Sequence, residues 1–194
     1  MSQPVAILII ALAGLSPVAN LAASDSASDR IGQGGECPAV LQHQFQQLDS
    51  DQLVDLCEFA GRPVLVVNTA SFCGYTGQFA GLEALFQRYG EAGLAIVGVP
   101  SNDFNQEARD QAETAEICYA NYGVTFTMTA PQSVRGAAAH PLFRTLAAES
   151  GSPPRWNFHK YLVAPDGTVT GQFPSQIAPQ DARITSLIEA QLAR

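Results

Sequence analysis

The chain has 194 residues, 46% apolar and only 14% charged, enough apolar side chain for one compact core but too short a chain for two full domains with large cores. Its net charge of −8 and pI near 4.7 exclude a general affinity for nucleic acid or anionic lipid, since both need clustered Lys and Arg. No internal repeat, heptad or low-complexity tract organises it.

The first 24 residues carry no side-chain charge, and residues 5–15 are nearly all apolar before the stretch Ala19-Asn20-Leu21-Ala22-Ala23-Ser24. That pattern predicts an export signal over residues 1–23, cleaved near Ala22 or Ala23, and hence a periplasmic or secreted protein. The apolar run is shorter than the roughly 20 residues needed to span a bilayer, which argues against stable membrane insertion. Residues 24–36, rich in Ser, Asp and Gly, read as a flexible lead, and residues 37–194 as the folded domain. The four cysteines suit an oxidising compartment, with two bridges and three pairings open. There is no Cys-x-x-Cys, and the Cys and His spacings match no compact zinc pattern, so neither a metal nor another cofactor is expected.

Leu65-Val66-Val67-Asn68 and Leu94-Ala95-Ile96-Val97-Gly98-Val99 are continuous β-prone runs, the pattern of strands buried on both faces of a sheet. Between them Phe79, Leu82, Leu85, Phe86 and Tyr89 recur at helical spacing, and Gly90 follows as a C-cap would. This predicts a βαβ unit with a right-handed crossover. Asp110 and Glu113 form a capping-box-like start to a second helix, on which Ala115, Cys118 and Tyr122 share a face. Residues 126–129 make a short strand candidate. Residues 161–164 and 168–173 flank Pro165-Asp166-Gly167, which predicts a β-hairpin, and Ile184, Leu187, Ile188 and Leu192 mark a terminal helix. The order implies an α/β protein with a central mixed β-sheet flanked by helices, in the thioredoxin-like order.

Cys73 falls just past the first buried strand and just before the first helix, in Asn68-Thr69-Ala70-Ser71-Phe72-Cys73-Gly74-Tyr75-Thr76. A thiol there meets unpaired backbone N–H groups and the positive end of a helix, which favour thiolate over thiol. Gly74 frees the backbone beside it, and the carboxyl end of a strand is where open α/β sheets place their sites. The alternative is a small buried residue in a turn.

This segment resembles the nucleophile motif of the glutathione peroxidase family, usually Asn-Val-Ala-Ser-x-Cys-Gly-x-Thr. Arg155-Trp156-Asn157-Phe158-His159-Lys160-Tyr161-Leu162 is similar to a second block of that family, Trp-Asn-Phe-x-Lys-Phe-Leu. Val99-Pro100-Ser101-Asn102-Asp103-Phe104, Asn121-Tyr122-Gly123-Val124-Thr125-Phe126 and Ala139-His140-Pro141-Leu142-Phe143 match others, so that five ordered blocks cover residues 45–192. The resemblance implies a peroxidase in which Cys73 attacks the peroxide, with Gln106, Trp156 and Asn157 donating hydrogen bonds to the thiolate and the peroxide oxygens. Where the family usually has Gly-Gly-Gln-Glu-Pro-Gly, this chain has Asn105-Gln106-Glu107-Ala108-Arg109, so Gln106 takes its place only with a one-residue deletion; a solvent-exposed loop Gln is the alternative.

Cys118 matches the resolving cysteine of thioredoxin-dependent members, although its helical face also permits an inert core cysteine. The resemblance then implies a Cys73 sulfenic acid, a Cys73–Cys118 disulfide, and recycling by a thioredoxin-like dithiol protein or by glutathione. Hydrogen peroxide, alkyl and lipid hydroperoxides all remain open as substrates. Only nine residues separate Leu146 from Trp156, so the insertion carried by tetrameric members is absent and a monomer is implied. Cys37 and Cys57 are candidates for a structural disulfide, with two unpaired cysteines as the alternative. His43, His140 and His159 read as packing or surface residues, and Lys160 as either a positive charge near the site or a solvated side chain. A thiol sensor or relay that passes a disulfide to a client protein is the competing function. A non-catalytic binding module is disfavoured by the retained Cys73, Trp156 and Asn157.

Overall fold

The computed structural model describes Met1 and residues 36–193; apart from Met1 and Glu36, the expected export signal and lead lie outside the described residues. A small antiparallel hairpin comes first, β1 (Gln44–Gln46) with β2 (Leu53–Asp55), each strand too short to leave a periodic signature in the sequence. The main sheet is built from β3 (Val64–Thr69), β4 (Ala95–Pro100), β5 (Thr127–Met128), β6 (Lys160–Val163) and β7 (Val169–Phe173) in the order β5-β4-β3-β6-β7. β3 pairs in parallel with β4 and β4 with β5, while β6 runs antiparallel to β3 and β7 to β6.

Every residue of β3 and β4 is buried, which explains the continuous apolar runs at residues 64–67 and 95–99. Leu65, Val67 and Ile96 point to one face, against Phe79, Leu82 and Leu85 of α1 (Gln78–Tyr89) and Ile184 and Ile188 of α4 (Ala182–Leu192). Val64, Val66, Val97 and Val99 point to the other, against Leu142, Phe143 and Leu146 of α3 (Pro141–Ser150). The mixed sheet with helices on both faces is the architecture expected from the sequence.

Three local features differ from that expectation. Gly90 closes α1 with a right-handed φ of −61°, not a left-handed one. Its N–H bonds the Phe86 carbonyl at 2.7 Å, and an added Cβ would meet the same oxygen at 2.7 Å, so the position needs glycine for close approach. The second helix changes character midway: α2 (Gln111–Ala115), capped by the Asp110 carboxylate accepting the Glu113 N–H at 2.8 Å, runs into a π-helical turn over Glu116–Asn121. α3 was not anticipated as a helix, because its apolar residues occupy little more than one turn. Pro141 opens it, His140 Nδ1 accepts the Leu142 N–H, and left-handed Gly151 ends it.

Cys37 and Cys57 are joined by a disulfide, with Cα atoms 5.3 Å apart, which ties the start of the domain to the turn Leu56–Phe59 ahead of β3. The His43 and His140 rings meet edge to face at 5.4 Å, and His159 is buried, with burial pushing it down to about 4. Lys160 is neither solvated nor a free positive charge. It is fully buried in β6, and its Nζ donates to the carbonyls of Phe158 (2.8 Å) and Ile177 (2.6 Å).

Burial pushes the Lys160 ammonium down to about 7 from 10.5. Between those values the unfolded chain binds a proton here that the folded protein does not, so this residue's contribution to stability rises with pH across that window. We expect the parent to gain stability relative to Lys160→Met as pH rises from about 7 to 9, by up to about 1.4 kcal/mol per pH unit. Denaturant unfolding of both proteins at the two pH values checks this.

Candidate active site

Cys73 sits in a run of turns between β3 and α1, only 8% exposed. The turns are closed by Thr76 N–H to Cys73 O (3.0 Å), Gln78 N–H to Tyr75 O (2.8 Å) and Phe79 N–H to Thr76 O (3.0 Å). Thr76 secures the loop a second time: its Oγ1 accepts the Cys73 N–H at 3.0 Å and lies 2.9 Å from the Ala70 carbonyl. Because α1 begins only at Gln78, the thiol lies ahead of the helix's first turn. The N–H that reaches Cys73 Sγ belongs to Tyr75, at 3.4 Å, within the turn.

Gln106 is half-buried and beside this loop, its carbonyl accepting the Phe72 N–H at 2.8 Å. It is not a solvent-exposed loop residue. Its Oε1 accepts from Asn157 Nδ2 at 3.0 Å, a contact spanning 51 positions in sequence. Asn157 is fully buried, and its Oδ1 takes no donor among the described residues. Trp156 lies next to it, 42% exposed and packed on Phe104 with ring centroids 5.3 Å apart. Neither Trp156 Nε1 nor Gln106 Nε2 donates to any described residue. Phe72, 57% exposed, adds a second open aromatic beside Cys73.

Asn68, the last-but-one residue of β3, places Trp156 and Asn157, a role the sequence reading did not assign. It is fully buried, and its Nδ2 donates to the Trp156 carbonyl (3.1 Å) while its Oδ1 accepts the His159 N–H (3.2 Å). Its backbone bonds the same segment: the carbonyl accepts from Phe158 N–H (2.6 Å), and the N–H donates to His159 O (3.3 Å). These four bonds hold Phe158 at φ +61°, a left-handed conformation costly for a bulky side chain. The sequence signal was the polar residue ending an otherwise apolar buried strand.

Cys118 lies in the π-helical turn, fully buried and unbonded; Cys73 is likewise a free thiol. Burial, then the nearby Glu107 carboxyl, push the Cys118 thiol up to about 12. Among the described residues no cluster of three or more His, Cys, Asp or Glu could hold a metal ion, and no helix is long and apolar enough to cross a membrane.

The glutathione peroxidase family model matches residues 40–147, more than half of the chain. The chain belongs to the glutathione peroxidase family. It is 43% identical over 135 residues to a glutathione peroxidase of Lactococcus lactis, covering 67% of this chain and 86% of that one. A hydroperoxy fatty acid reductase of Synechocystis is 39% identical over 139 residues (66% and 82% of the two chains). A glutathione peroxidase-like peroxiredoxin of Chlamydomonas reinhardtii is 40% identical over 127 residues (63% and 78%). The crystal structure of T. cruzi GPX1 is similar at TM-score 0.64 and 25% identity, over 79% of this chain and 96% of that one. A thiol:disulfide interchange protein of the thioredoxin family from Chlorobium tepidum, TM-score 0.61 at 11% identity over 81% and 98% of the two chains, shares the fold alone. The fold is thus thioredoxin-like, and the protein is a thiol peroxidase. The family match ends before Trp156 and Asn157, and it is the Asn68 contacts that bring these two residues to the Cys73 side of the molecule.

Removing the Asn68 side chain leaves the Trp156 carbonyl and the buried His159 N–H without that partner. We expect Asn68→Ala to lose about 2–6 kcal/mol of stability, from two backbone groups at about 1–3 kcal/mol each. Displacing Trp156 and Asn157 should also slow peroxide reduction about a hundred-fold. Denaturant unfolding and the second-order rate of peroxide consumption check the two effects separately.

Proposed function

We propose that the protein reduces hydrogen peroxide and organic or lipid hydroperoxides through a Cys73 sulfenic acid and a Cys73–Cys118 disulfide. The observation that carries this reading is the unengaged N–H donors of Gln106, held to the Cys73 loop at Phe72 and bonded to Asn157, and of Trp156, the residue next to Asn157. The Cys73 thiolate attacks one peroxide oxygen, the O–O bond breaks, and the departing oxygen leaves as water or an alcohol once protonated. Trp156 Nε1 and Gln106 Nε2 donate to the negative charge that develops on the oxygens.

Cys118 then attacks the sulfenic sulfur, hydroxide departs with a proton as water, and a disulfide joins the two cysteines. With its thiol at about 12, Cys118 in place is only about one part in a hundred thousand thiolate at pH 7. Leaving its buried position returns it toward the ordinary thiol value, so resolution is coupled to opening of the short α2 and π-helical segment.

A thioredoxin-like dithiol protein or glutathione restores both thiols. The names of the relatives, a hydroperoxy fatty acid reductase and a glutathione peroxidase-like peroxiredoxin, support the organic substrates and the thiol cycle. The reading also has the protein exported to the periplasm or beyond, supported by the Cys37–Cys57 bond, since such bonds persist in oxidising compartments. The short interval between Leu146 and Trp156 supports a monomer.

Cys73→Ser is expected to abolish peroxide reduction while leaving the fold intact. Cys118→Ser should consume a single equivalent of peroxide and then stop with a dithiol reductant. Steady-state turnover with thioredoxin, a periplasmic-type dithiol donor and glutathione in parallel tests this. Wild-type cycling of Cys118→Ser with a dithiol would remove Cys118 from the reaction.

A further inference from the structure

Glu107, the residue after Gln106, is a buried carboxyl with no cation against it: among the described residues the only ion pairs are Arg88–Glu189 and Arg183–Asp181. Its Oε1 instead collects three donors, the Ser71 hydroxyl, the Thr114 hydroxyl at 2.9 Å and the Ala108 N–H at 2.8 Å. Its Oε2 is buried and meets no donor among the described residues. Ser71 belongs to the Cys73 loop. Thr114 lies one helical turn before Cys118, on the same short helix.

The geometry points to Glu107 as a positioning residue that latches the Cys118 segment to the Cys73 loop in the reduced protein and sets the rate of disulfide formation. This rests on the reading of Cys118 as the resolving thiol. One carboxylate oxygen holds both sides, so parting the two segments must break a charge-assisted bond in a site with no other partner to offer it. What it restrains is weak on its own. α2 is five residues long, and the π-helical turn that continues it carries poorer hydrogen-bond geometry than an α-helix. Local opening of that segment is therefore governed by the contacts at its start, and Thr114, only 1% exposed, makes the one to Glu107. The Thr114 hydroxyl also lies 3.2 Å from the Asp110 carbonyl, so a released Thr114 keeps an acceptor within its own helix.

Trp156 is the only tryptophan, and its emission reports on the site directly. Stopped-flow mixing with peroxide should give a phase that scales with peroxide concentration, oxidation of Cys73, and one that does not, disulfide formation. Thr114→Val, nearly isosteric but unable to donate, should speed the second phase about ten-fold, the scale of losing one hydrogen bond to a charged group, and leave the first unchanged. Thr114→Ser, which keeps the hydroxyl, should restore wild-type behaviour. Glu107→Gln, a weaker neutral acceptor, should move the second phase in the same direction as Thr114→Val. Amide exchange over residues 111–122 should rise in Thr114→Val and not in Thr114→Ser. A second phase unchanged or slower in Thr114→Val, or both phases shifting together, overturns the latch. In Cys118→Ser the second phase should vanish; its persistence would instead overturn the resolving role, and the latch with it.

Discussion

The candidate site depends on how Asn68 is bonded. A strand buried on both faces ends in an amide that cannot be solvated, and the only groups available to satisfy it lie about 90 positions later in the chain. Satisfying it brings the Trp156-Asn157 segment alongside the end of β3, where the Cys73 loop begins. The same four bonds stabilise the left-handed Phe158, whose carbonyl is in turn held by Lys160. Asn157 then meets Gln106, and Gln106 meets the loop through Phe72. Each contact in this chain fixes the next, so a single buried amide sets the placement of groups drawn from three separate stretches of sequence.

The molecule holds several buried polar groups that an apolar core would not choose. Among the described residues Lys160 and Glu107 are ionisable groups without a countercharge, bonded to carbonyls in one case and to hydroxyls and an N–H in the other. Well-packed apolar residues in their place would often be neutral or stabilising. Both lie within three residues of the site segments, Lys160 after Trp156-Asn157 and Glu107 after Gln106. Cys118 belongs to the same pattern of burial, which holds its thiol well above the ordinary range.

The sheet was legible in the sequence because two-sided burial leaves a one-dimensional mark, the apolar runs at residues 64–67 and 94–99. Cys73 was legible because the strand, the turn and the following helix are contiguous. Residues whose role arises from distant contacts were not. Asn68 appeared only as part of a motif, and nothing local could tell that its amide bonds Trp156 and His159. Lys160 was assigned to solvent or to the site's charge, since a lone lysine in a strand carries no sign of two carbonyls waiting in the interior. Glu107 drew no assignment because its partners, Ser71 and Thr114, lie on either side of it in sequence and converge only in the fold. The change from α2 to a π-helical turn was likewise invisible, for the apolar face of residues 115–122 fits either winding.

The central claim is that peroxide drives Cys73 and Cys118 into one disulfide while Cys37 and Cys57 stay bonded. Non-reducing peptide mapping of the reduced-site protein after one equivalent of peroxide tests it most directly. The account predicts two linked pairs, Cys37 with Cys57 both before and after, and Cys73 with Cys118 only after. A Cys73 left as a thiol, or oxidised to an acid with Cys118 still free, would contradict it.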